Sequence, residues 1–92
     1  MINLTAVQSS LTKWMENPFW REYWETAPSE RCRELIALEF YYSEYMTHEA
    51  VEAMRSLEES LSLEDWKHLY RYCGINPRRG FIAKRIRELE NR

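Results

Sequence analysis

The chain is 92 residues long, 45% hydrophobic and 30% charged, with two glycines, three prolines and a formal net charge of −2. One domain, residues 1–92, is expected, with a modest core, because folding at this size buries only roughly two-thirds of the unfolded surface. This composition suits a soluble globular chain rather than a disordered or membrane one. No apolar run approaches the ~18 residues of a membrane span, and MINLTAVQSS lacks the basic start and apolar stretch of a secretory signal, so a cytoplasmic location with no membrane partner is expected.

Leu4, Val7, Leu11, Trp14 and Met15 fall at helical spacing, with Asn3 as the cap and Asn17-Pro18 as the stop. Pro18 suits the first position of a second, short helix capped by Asn17, and Phe19, Trp20, Tyr23 and Trp24 share one of its faces. Such a face requires a cover. From Ser29 to Leu61 there is neither Gly nor Pro, and Leu35, Leu38, Tyr42, Met46, Ala50, Ala53, Leu57 and Leu61 recur every three or four residues. One long helix fits this pattern, but a break near Tyr45 to Thr47, with Thr47 capping a new helix, is favoured because a short chain packs better folded back. Ser62 to Asp65 resembles a capping box, and the helix after it presents Leu63, Trp66, Leu69, Tyr70 and Cys73 before Gly74, expected as a left-handed terminator. Asn76-Pro77 starts the last helix, with Phe81, Ile82, Ile86 and Leu89 inward. No segment alternates as a strand does, so the expected class is all-α, a compact bundle of five or six helices ending in a basic αα-hairpin.

Charge is divided along the chain. Residues 1–66 hold five basic and thirteen acidic groups, a net of −8, whereas residues 67–92 hold eight basic and two acidic groups, a net of +6. Either the C-terminal helices dock on the acidic ones, or they form a basic surface for an outside anion. Arg78 and Arg79 fall in the first turn of the last helix, where cations cost ~0.3–1 kcal/mol against the dipole unless an anion meets them. The nearest anions are the chain's own carboxylates, so internal docking is the favoured reading. Lys84, Arg87 and Asn91 share the face opposite Ile82, Ile86 and Leu89, with Gly80 beside them, and could lie on a phosphate backbone.

Residues 63–89, two helices around Gly74, invite comparison with a helix-turn-helix. Tyr70 is bulky where that motif's first helix needs a small residue, and Gly80 stands where the second wants an apolar one, so an ordinary helical hairpin is preferred. Glu44, His48 and Glu52 at spacings of four would share one face of an unbroken helix, which is a weak metal signal without the Glu-x-x-His pairs of di-iron bundles. Cys32 and Cys73 lie in no CxxC motif and are expected as thiols rather than a disulfide. No nucleophile elbow, P-loop, HExxH or dinucleotide turn is present. No catalytic, metal or cofactor site is therefore expected.

The expected function is that of a small non-enzymatic protein acting by protein–protein interaction, with another protein or with itself. Its contact residues would be the aromatic face Phe19, Trp20, Tyr23 and Trp24, together with Arg78, Arg79, Lys84 and Arg87 as anion or partner contacts. The alternative is a nucleic-acid-binding accessory or regulatory domain using residues 63–92 on phosphates. The net charge of −2 weighs against it.

Overall fold

Among the described residues six helices form the fold, and most begin where a side chain can accept the first unpaired amides. The computed structural model describes residues 2–74 and 77–92. The helices are α1 (Leu4–Trp14), α2 (Pro18–Glu25), α3 (Glu30–Tyr45), α4 (His48–Glu58), α5 (Leu63–Tyr72) and α6 (Arg78–Glu90). No strand occurs among the described residues. Asn3 accepts from the Ala6 amide at 3.2 Å and Asn17 from that of Phe19 at 2.9 Å, with Pro18 supplying the fixed φ of a first helical residue.

Ser29 and Ser62 cap α3 and α5, and Asp65 joins the two caps. The Ser29 hydroxyl accepts from the Cys32 amide at 3.1 Å and donates to Asp65 Oδ1 at 2.9 Å. Asp65 Oδ2 accepts from the Ser62 amide at 3.0 Å, while the Asp65 amide donates to Ser62 Oγ at 3.2 Å. This is a capping box with aspartate in the reciprocal role, so the shorter carboxylate suffices.

The stretch 29–61 is two helices. Met46 adopts the left-handed conformation, φ 44° and ψ 41°, with its amide on the Tyr42 carbonyl, and Thr47 caps α4 by accepting from the Ala50 amide at 3.2 Å. Met46 is thus outside any core, 71% exposed. Gly74 is not the left-handed terminator expected from its sequence, since no described glycine has a positive φ. Helix α5 instead ends through extended Cys73, and the Arg79 guanidinium accepts the terminator's task by donating to the carbonyls of Tyr70 at 3.3 Å and Cys73 at 2.6 Å. At the start of α6, Pro77 is the cap residue rather than the first helical one and brings no side-chain cap; Asn76 lies outside the described residues.

Helix α3 is the centre of the molecule. Its buried residues Cys32, Leu35, Ile36, Ala37, Leu38, Phe40 and Tyr41 point all round its circumference, as only a helix surrounded by others requires. Helices α1, α2 and α4 pack on it, and α5 pairs with α6. Trp66, Leu69 and Ile82 from that pair are at most 1% exposed and share the core with Leu35 and Ile36. The Cα radius of gyration is 12.9 Å, against about 12 Å for a compact chain of this length. Two inward expectations fail: Phe81 is 43% exposed, edge-on to Trp66, and Leu4 is 79% exposed. No described helix is long and apolar enough to cross a membrane.

Candidate functional site

Arg78 and Arg79 face the protein itself. Arg78 Nη2 donates to Glu39 Oε2 at 3.1 Å and Nη1 to Glu58 Oε1 at 3.5 Å, so one guanidinium bridges α3 and α4 from the start of α6. The second Glu39 oxygen accepts from the Tyr23 hydroxyl at 3.0 Å, which draws in α2. Burial raises the Glu39 carboxyl above the usual range, and the Arg78 charge and the Tyr23 hydroxyl oppose that rise. Burial likewise works against charge on Arg78, but the two carboxylates outweigh it and raise its pKa. Arg79 lies 3.9 Å over the Tyr70 ring while it holds the carbonyls ending α5. Neither arginine is directed at an outside anion.

The aromatic face of α2 is largely covered from within. Tyr23 is buried, with its ring stacked on His68 at 5.4 Å and close to Tyr72 at 5.0 Å. Trp20 meets Trp14 edge-on at 5.5 Å, Trp14 itself stacks on Phe40 at 5.0 Å, and Arg33 lies 5.8 Å over Trp24. Phe19 alone of the four is exposed, and it still contacts Trp20 and Tyr72 edge-on. His68 Nε2 is 2.7 Å from the Tyr23 carbonyl; a carbonyl only accepts, so that nitrogen carries the proton.

Lys84 and Arg87 are exposed on α6 and have no carboxylate within ion-pair distance among the described residues. Arg78 and Arg79, by contrast, are half-buried and engaged within the chain. The Glu44, His48, Glu52 triplet is divided by the turn at Met46. Glu44 instead takes Lys13 at 3.1 Å and the Ser10 hydroxyl at 3.1 Å, while exposed His48 and Glu52 face each other at 3.0 Å. No group of three metal-ligating side chains occurs among the described residues. Cys32 is fully buried, and burial with the nearby Asp65 and Glu39 charges pushes its thiol up to about 12.

An apolar groove of about 500 Å³ lies elsewhere, between α1 and α4, over α3. Ala37 and Leu38 of α3 form its floor. Leu4 and Val7 rise on one side, with Ile2 just before α1, and Ala53 and Leu57 on the other. Alanine at positions 37 and 53 is what gives the groove its width, since both side chains end at Cβ. Only Glu34 and Ser56 are polar among the lining residues. Periodicity placed Leu4, Val7, Leu38, Ala53 and Leu57 at helical spacing, yet it carries no information on how far apart two helix faces stand once both rest on a third. A sequence signal existed in Leu4, three residues ahead of Val7 and at the first position of its helix, where only one neighbouring turn is available to cover it. No protein-family model, curated protein or solved structure matches the chain.

Proposed function

We propose that the chain is a non-enzymatic protein-interaction module, and that the groove between α1, α3 and α4 receives the apolar face of a helix from another protein. The reading is carried by Leu4, 79% exposed on the rim of a groove in which seven of nine lining residues are apolar. Transferring one such leucine from water to a contact is worth roughly 1.5–3 kcal/mol, so a cover for this face is favourable. A groove walled by two helices and floored by a third suits a further helix with anchors at spacings of three and four. The buried Asp65 and His68 and the part-buried Glu39 and Arg78 each have a structural partner, which supports a binding role over a chemical one.

A photoreactive amino acid placed at Leu4 tests the reading in the cell of origin. The expected adduct is to a helical segment of another protein, and it disappears when Ala53→Glu places a carboxylate in the groove while the helical circular dichroism is retained. An adduct to nucleic acid, an adduct to a second copy alone, or a protein adduct indifferent to Ala53→Glu would each overturn it. The nucleic-acid alternative rests on Lys84 and Arg87, two outward cations. Two phosphate contacts support only weak, strongly salt-dependent binding.

A further inference from the structure

Resting on that reading of the groove, we infer that its partner helix carries Lys or Arg beside its apolar stripe. Glu34, within the groove lining, is exposed and has no cation within ion-pair distance among the described residues. On α4, Glu49 stands one turn before Ala53 and Glu52 one turn before Ser56, so both carboxylates lie along the wall that Ala53 and Ser56 define. Among the described residues Glu49, which is exposed, makes no ion pair, and Glu52 makes one with His48 alone. Against these three carboxylates stands Arg31, one turn before Glu34 and exposed on α3. The groove margin is therefore acidic.

The chain's own basic residues do not correct this. Side chains from residues 67–92 reach the acidic groups Glu39, Glu58 and Glu64 of the first 66 residues, and none of these lines the groove. A second copy is a poor occupant on two counts. Groove-to-groove pairing would bring Glu34 and Glu49 of each copy toward like charges, and the outward face of α6, with Gly80, Lys84, Arg87 and Asn91, has the right charge but only the half-exposed Phe81 beside it as an apolar anchor, where a groove of this length takes several. An amphipathic helix with leucine-like anchors and flanking cations meets both the hydrocarbon floor and the acidic margin.

Two synthetic amphipathic peptides with one shared leucine stripe, flanked by Lys and Arg in the first and by Glu and Gln in the second, separate the outcomes. Each is titrated into the isotope-labelled full chain, and amide shifts are followed at Ala37, Leu38, Ala53 and Leu57. The basic peptide is expected to move these signals and to bind about tenfold more tightly at low salt, an advantage that shrinks at high salt and in Glu34→Gln/Glu49→Gln. Equal binding of both peptides in the groove would overturn the charge inference and leave the docking site standing. Failure of both peptides to move the groove signals would remove the docking site itself. Shifts by the basic peptide confined to other acidic surfaces would overturn the inference as well, as general electrostatic attraction.

Discussion

His68 is 3% exposed, held at the Tyr23 carbonyl, stacked on the Tyr23 ring and tilted against that of Tyr72. Burial lowers its pKa; the hydrogen bond to Tyr23 and the Asp65 charge oppose the fall, and the Arg71 charge adds to it. The unfolded chain thus takes up this proton more readily than the folded one. The stability conferred by the neutral ring is complete above the ordinary histidine value of about 6.5 and declines as the pH falls from there toward the depressed native value. Urea unfolding at about pH 7.5 and about pH 5.5 is expected to show a loss near 1 kcal/mol in the parent, absent from His68→Gln. At this scale the sequence was informative about caps and silent about partners. Asn3, Asn17, Thr47 and Ser62 act within three residues of themselves, whereas His68 acts across 45 positions on a backbone carbonyl, which no local pattern announces.

Breaks between helices show where local rules compete. The turn after α3 needs a left-handed residue, and methionine occupies it although the chain's two glycines lie elsewhere. A β-carbon in that conformation costs roughly 1–2 kcal/mol, and the Met46 side chain returns little because it is 71% exposed. Met46→Gly is expected to raise stability by about 0.5–1 kcal/mol after the entropy of glycine in the unfolded chain is deducted, seen as a higher urea midpoint with an unchanged slope. The break itself was legible from Thr47 and from chain length. The residue that turns the corner was not, because nothing in the order Tyr45-Met46-Thr47 favours a positive φ. Gly74 misled for the converse reason: Arg79 already serves the carbonyls that a left-handed terminator would have paired.

Across the whole molecule, the division of charge is partly resolved by folding. Arg78 ties α6 to α3 and α4 through two part-buried carboxylates, and Arg79 ties it to α5 through two carbonyls. Arg78→Ala is expected to lower stability by about 1–3 kcal/mol, with a smaller loss at high salt, since its partners are charged and partly reached by solvent. Arg79→Ala is expected to lower it by a similar amount with little dependence on salt, because its partners are neutral. Parallel denaturant titrations at two salt concentrations distinguish the two. The all-helical class and the docking of Arg78 on the chain's own carboxylates could be read from periodicity and the −8 and +6 halves, whereas Arg79, expected on a carboxylate too, is held by two carbonyls of the basic half, which charge could not announce. The groove could not, for it exists only because α1 and α4 rest side by side on α3 with alanines between them.

The Asp65 carboxylate, 3% exposed, stands at the beginnings of both α3 and α5. Each helix start carries a partial positive charge of roughly half a unit, so a single carboxylate is the common counter-ion of two helix dipoles. The two first turns are consequently one electrostatic unit. Neither can fray without leaving the anion half-compensated in a buried position, so the central helix and the helix that carries Trp66 and His68 are bound to open and close together, although 32 residues separate Glu30 from Leu63.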